Sequence, residues 1–236
     1  TKFQKYMDTA SQIKVELQEW MGNDSSIAKA AWTSSYTKEQ KDLRSEEDVK
    51  RVVNMLADSK HSVPFESVVL RYWIKLPIAI DRQLMTHRIA SHSGMSGRYR
   101  TMPSEFLALP DDVTCILQKS GCGMPSYEYD NLCSIANNWY IKQVGRLKEA
   151  ESSSKISKTE LKRAREFIRG ILPQHNMTER TTVINLRSFA NFYKLRSKTD
   201  AQYEIQIIAK LMMHALVEKN ICPIALEALN RNSWAI

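Results

Sequence analysis

The sequence predicts an α+β fold, a sheet with helices around it, on two observations. Segments of two different periods interleave along the chain: runs rich in β-branched and aromatic residues near 13–20, 67–76 and 179–186, and amphipathic runs with apolar residues three and four apart. The chain of 236 residues, 43% apolar and 25% charged, is also long enough to bury a full core, so a single domain over 1–236 is expected.

The elements follow in order. "IKVELQEW" (13–20) alternates apolar and polar residues like a half-buried strand, and "GND" then supplies a turn and a cap for a helix over "SSIAKAAW". "SEEDVKRVVNMLADSKH" (45–61) opens on Ser45 as N-cap with acids in its first turn, and places Val49, Val52, Val53 and Leu56 on one helical face. "SVVLRYWIKL" (67–76) reads as a strand, and Pro77 as the first residue of a helix over "PIAIDRQLMTHR". Helices are predicted over 126–149 and 157–172, the second with Ser157 and Glu160 in capping-box spacing and "AESSSKIS" as a solvated connector. "ERTTVINL" (179–186) is strand-like and "RSFANFYKLR" helical. "DAQYEIQIIAKLMMHAL" is a long helix begun by Asp200 with Ile205, Ile208 and Met212 inward. The run "KEQKDLRSEEDVKR" reads as a solvated face, and His214 as a packing residue.

A formal charge of +8 points to an anionic partner, a phosphorylated small molecule or a nucleic acid. No apolar run approaches transmembrane length and the opening "TKFQKYMDTASQIKVELQEW" lacks the apolar centre of a signal peptide, so a cytoplasmic protein without membrane contact is expected. The four cysteines form no CxxC pair; no metal site or disulfide framework is predicted, and all four read as reduced packing residues.

Polar chemistry concentrates in "THRIASHSGMSGRYR" (86–100). Arg88, Arg98 and Arg100 supply charge, Ser91, Ser93 and Ser96 hydroxyls, and Gly94 and Gly97 allow a ligand close to the backbone, which is the composition of an anion cradle; a solvated basic turn is the alternative. Further on, "FIRGILP" (167–173) and "NLRSFANFYKLR" (185–196) set arginines among apolar residues, where each needs a ligand or an internal ion pair, with Glu66 and Glu204 as candidate partners.

These segments together resemble the flavin-dependent thymidylate synthases. His87 and Arg88, seven residues and then Ser96 keep the spacing of that family's signature, and "GRY" follows it. "HSVPFE" (61–66), "DRQ" (81–83), "ILP", "NLRSFANFYKLR" and "AQYEI" resemble further family segments in the family's order. The resemblance implies the fold of the thymidylate synthase complementing proteins, with a central mixed or antiparallel sheet flanked by helices. It also implies conversion of dUMP to dTMP, with methylenetetrahydrofolate as carbon donor, NADPH as reductant and FAD as hydride carrier, in a homotetramer whose sites are shared between subunits.

Carried over residue by residue, the resemblance implies that Ser96, Gly97 and Arg98 hold the dUMP phosphate with Arg169 of a neighbouring subunit, and that Gln83 also touches the nucleotide. His87, Arg88, Ile89, Asn185, Arg187 and Asn191 would contact FAD, with Ser34 and His61 lining its pocket. Arg196 would bind dUMP and activate it, because a fixed cation beside the N3/C4 edge stabilises the charge that makes uracil C5 a nucleophile. Cys222 has no part in this. The chain departs from the family pattern at Thr86 (arginine in the family), Ser93 (asparagine), Gly94 (glutamate), Val63 and Asp200. Two other readings accompany the main one. A family variant could make a 5-hydroxymethyl product or use another pyrimidine nucleotide. A single-stranded nucleic-acid-binding module would explain the charge and the aromatic-flanked arginines but not the ordered motifs.

Overall fold

The computed structural model describes residues 11–232. It contains β1 (Lys14–Met21), α1 (Asp24–Trp32), α2 (Lys38–Asp42), α3 (Glu46–Asp58), a 3-10 turn (Val63–Ser67), β2 (Val69–Pro77), α4 (Ile78–Leu84) and β3 (Ser91–Gly94). Then follow α5 (Asp111–Lys119), α6 (Pro125–Ser152), α7 (Lys158–Ile168), a 3-10 turn (Arg169–Ile171), β4 (Met177–Asn185), α8 (Leu186–Arg196), α9 (Tyr203–Glu218) and α10 (Pro223–Arg231). The strands form one antiparallel sheet in the order β1-β2-β4-β3. This is the α+β sheet-and-helix fold read from the sequence.

The chain divides into two compact units. One holds residues 11–13, Lys75–Arg82 and Gly94–Arg180; the other holds Lys14–Ile74, Gln83–Ser93 and 181–232. In the second unit, β2 alternates buried and half-buried residues, and Leu70 and Tyr72 join Leu17, Ile27, Val53, Phe65, Phe189, Phe192, Ile205 and Met212 in the core. Each such side chain contributes roughly 1.5–3 kcal/mol by leaving water. The Tyr72 hydroxyl, deep in this core, donates to the Met212 carbonyl at 3.2 Å.

Local capping agrees with the sequence at three helices. Asn23, Ser45 and Ser157 close capping boxes with Ser26, Asp48 and Glu160. Gly22, with φ +88°, makes the turn before α1, where a Cβ would come within 2.8 Å of the Ser67 carbonyl oxygen. One cap is not local: Asp24 accepts from the backbone N–H groups of Ile224 (3.2 Å) and Ala225 (2.8 Å), so α1 caps α10. Burial raises the Asp24 pKa, and these two N–H donors act against that rise.

In the first unit, Met102, Tyr140, Val144 and Leu172 form a core against which Ile78, Met95 and Ile168 pack. A reciprocal amide pair in the same unit, Asn137 with Asn176 at 2.9 and 3.0 Å, satisfies two buried side chains.

Several expectations need correction. Pro77 ends β2 rather than starting α4, and α4 stops at Leu84 instead of reaching Arg88, because Thr86 and His87 turn their N–H groups back to Gln83 and Leu84. Asp200 does not cap α9: it lies exposed in the preceding turn, and the helix starts at Tyr203 with no side-chain cap. His214 is exposed rather than packed, 3.9 Å from Glu218. Cys133 and Cys222 are buried as packing residues should be, and burial lifts the Cys222 thiol to about 12, but Cys115 is exposed and Cys122 half-buried. Among the described residues no helix is long and apolar enough to cross a membrane, and no group of His, Cys, Asp and Glu could hold a metal ion.

Candidate active site

In the second unit the end of α8 meets the segment that follows α4. Arg196, the last residue of α8, donates from Nε to Nε2 of His87 at 2.9 Å, and its Nη2 reaches the Thr86 hydroxyl at 3.4 Å. A guanidinium only donates, so His87 Nε2 must accept. The ring stands edge-on to Phe192, with centroids 4.8 Å apart. Burial first, then the Arg196 charge, then His92 push the His87 pKa down to about 4, so the imidazole is neutral at pH 7 and keeps its acceptor. His92 supports this segment, with Nδ1 3.1 Å from Thr182 Oγ1 and Nε2 3.4 Å from the His87 carbonyl.

Because the folded pKa of His87 lies below its ordinary 6.5, the unfolded chain binds this proton more readily. The associated stability is complete above about pH 6.5 and is lost as pH falls toward 4. NMR of the histidine rings is expected to give His87 a midpoint near 4, rising in Arg196→Ala; a midpoint of 6.5 in the unaltered chain would show that neither burial nor Arg196 acts on it.

Gln83 donates to the Gln202 side-chain oxygen, and Gln202 in turn to Glu204 at 2.9 Å. Asn185 caps α8 by accepting from Ser188 N at 2.8 Å, Arg187 pairs with Glu66 at 2.5 Å, and Asn191 is half-buried on the same helix. Arg187 thus has the internal partner anticipated for one of these arginines. Arg88 and Ile89 are exposed between α4 and β3. Ser34 hydrogen-bonds within its own turn, to the Ala31 carbonyl at 3.2 Å, and His61 is exposed after α3.

In the first unit, Ser96 to Arg100 make a tight turn in which Tyr99 and Arg100 donate to the Ser96 carbonyl at 3.1 and 3.0 Å. Gly97 is buried there. A Cβ on it would lie 3.0 Å from Arg169 Cδ and 3.2 Å from Met102 Cγ, so the absent side chain is what lets Arg169 cross the turn. The resemblance implies Arg169 from a neighbouring subunit; within one chain it already lies beside Gly97. Arg98 Nε sits 2.8 Å from Glu166 Oε1, an ion pair in which that N–H is not aimed at the carboxylate. Sequence reasoning missed the pair that underlies the turn's entrance: Arg180 closes both arms of its fork on Asp81, Nη2 to Oδ2 at 2.5 Å, with both side chains about nine-tenths buried. The only sequence signal was charge inside two apolar runs.

The model of the thymidylate synthase complementing protein family matches residues 16–224, a span that includes every candidate site residue placed above. The chain belongs to this family. The flavin-dependent thymidylate synthase of Pseudothermotoga lettingae is 33% identical over 92% of this chain and 90% of its own, and that of Kosmotoga olearia 34% over 91% and 88%. The fold is shared with the crystal structure of the UMP/dUMP methylase PolB from Streptomyces cacaoi bound with 5-Br dUMP, at a TM-score of 0.70 and 23% identity, covering 93% of this chain and 95% of that one.

As a thymidylate synthase complementing protein, the chain accommodates two of its departures structurally. Thr86, in place of arginine, donates its hydroxyl to the Gln83 carbonyl at 2.7 Å, closing the end of α4, while it receives Arg196. Gly94, in place of glutamate, leaves room for Arg180: a Cβ there would lie 2.8 Å from Arg180 Nη2. Ser93, Val63 and Asp200 are exposed, and nothing in the structure explains those three changes.

Proposed function

We propose that this chain is a flavin-dependent methyltransferase that converts dUMP to dTMP, with methylenetetrahydrofolate as carbon donor, NADPH as reductant and FAD as the bound flavin. The observation that carries the reading is Arg196, a half-buried guanidinium held in one orientation by a neutral imidazole, at the position where the family motif calls for the pyrimidine activator.

The work of the chain's own residues follows from their chemistry. Arg196 stabilises negative charge developing along the N3/C4 edge of uracil, which makes C5 the attacking carbon without an enzyme nucleophile. His87 is its positioning residue. It accepts the Nε–H and adds no competing positive charge. Ser96, Gly97, Arg98 and Arg169 take the nucleotide phosphate, arginine forks matching its oxygens, and Gln83 contacts the nucleotide.

The residues assigned to FAD suit a phosphate-bearing, hydrogen-bonding ligand. Arg88 is exposed and forms no ion pair among the described residues, and the Ser188 hydroxyl at the start of α8 is buried with no hydrogen-bond partner. When bound, the flavin supplies the hydride. His87, Arg88, Ile89, Asn185, Arg187 and Asn191 would hold it, with Ser34 and His61 at its margin.

A homotetramer is part of the proposal. Leu132, Ile135 and Trp139 lie exposed at positions three and four apart on α6, an apolar stripe suited to a second copy of the chain. The family match runs without a break through the residues of both units, which supports reading the chain as one family domain.

The test is a titration of the purified chain with FAD, followed by flavin fluorescence with and without dUMP, and then mass spectrometry of the nucleotide product. Saturable FAD binding altered by dUMP, and a product heavier by one methylene, are expected. Absence of flavin binding overturns the proposal.

A further inference from the structure

Among the described residues, the first unit contains two buried arginines, and one of them has a partner. Arg180 closes its fork on Asp81. Arg165, on α7, is 7% exposed, its Nε and Nη2 are buried without a hydrogen-bond partner, and it forms no ion pair among the described residues. A guanidinium cannot shed its charge at neutral pH, so burial without a partner is strongly unfavourable.

Neither acid on α7 is available to it. Glu160 is engaged in the capping box at Ser157, at 2.7 and 2.8 Å, and Glu166 pairs with Arg98. Arg165 also precedes Arg169 by four residues, and Arg169 keeps helical backbone angles, so the two side chains leave the same face of the helix, Arg165 buried and Arg169 exposed. Arg169 is the residue that crosses Gly97. An anion arriving at the Ser96–Arg98–Arg169 group would supply the partner that Arg165 lacks.

We propose that Arg165 is a further phosphate-binding residue, lying behind Arg169, whose guanidinium is completed by a phosphate ester oxygen. The ligand chemistry is a phosphorylated nucleotide, either the 5′-phosphate of dUMP or the pyrophosphate of FAD. The inference rests on the functional reading above.

The experiment compares the unaltered chain with Arg165→Met and Arg165→Lys by calorimetric titration and thermal melting. The four probes are dUMP, deoxyuridine, FAD and riboflavin. Methionine keeps volume and removes the charge, so the ligand-free Arg165→Met chain is expected to melt at the same or a higher temperature. Its Kd for the phosphate-bearing ligand is expected to rise about 10- to 100-fold, with the phosphate-free analogue unchanged. Weakening of dUMP assigns the nucleotide phosphate, and weakening of FAD alone assigns the pyrophosphate. Arg165→Lys, which keeps the charge and loses the fork, is expected to fall between, and it carries the test if the methionine variant fails to fold. Kd values within twofold of the unaltered chain for both ligands overturn the proposal and leave Arg165 a structural charge. If the unaltered chain binds neither dUMP nor FAD, the functional reading falls, and this assignment with it.

Discussion

Arg196→Ala is expected to lower turnover of dUMP about 100- to 1,000-fold, the loss typical of removing one preorganised group that meets charge in a transition state. Folding should survive, since Arg196 is half-buried at the end of α8 and its partners, His87 and Thr86, remain accessible enough to bond water. The fall should appear in kcat more than in KM. The charge it stabilises develops as C5 attacks, whereas the phosphate, held by other arginines, governs ground-state affinity. FAD affinity should stay within a few-fold. Arg196→Lys is expected to recover little, because lysine has no Nε–H to place on His87 Nε2 and its compact ammonium lacks the planar fork. Turnover within threefold of the unaltered chain would remove Arg196 from the chemistry and leave it a tether for His87.

How far the sequence reaches is seen in which partners are neighbours along it. The capping boxes at Asn23, Ser45 and Ser157 each close within three residues, so their sequence pattern and their geometry agree. β2, β4 and α9 carry clear periods and form close to where those periods lie. β3 is not legible in the sequence because "SHSG" has neither apolar alternation nor β-branched residues; it is a strand through its pairing with β4. α10 is hidden for a related reason. Its N-terminus is capped by Asp24 from about 200 residues away, and Cys222 before it takes a left-handed φ of 48°, which no cysteine pattern signals. α5 carries Val113, Ile116 and Leu117 three and four apart, but it is a nine-residue helix that buries none of its residues.

The candidate site divides in the same way. Arginines in apolar runs announced that charge would be buried or bound. Their individual fates were set by residues around a hundred positions away: Glu66 for Arg187, His87 for Arg196, Asp81 for Arg180. The fate of Arg165 depended on an absence, which no sequence pattern displays.

Asp81→Ala is expected to destabilise the chain by about 3–5 kcal/mol, because it leaves the Arg180 guanidinium buried and uncompensated. For a chain of this size that is a fall in melting temperature of about 10 °C. Asp81→Asn keeps one acceptor and the shape but not the charge, and should lose a large part of the same amount. The ion pair itself is a different quantity from the cost of breaking it. Removing both charges with Asp81→Leu and Arg180→Met together should restore most of the stability, since a well-packed apolar pair avoids the desolvation of both ions. Gly94 sharpens the test. Its missing Cβ is what admits Arg180 Nη2, so Gly94→Ala should destabilise the chain beside the intact pair and do so less once Arg180 is methionine, which has no guanidinium to meet the added Cβ. A single Asp81→Ala chain that melts within 2 °C of the unaltered one would mean that Arg180 finds another partner or reaches water, and that the pair does not hold this part of the first unit together.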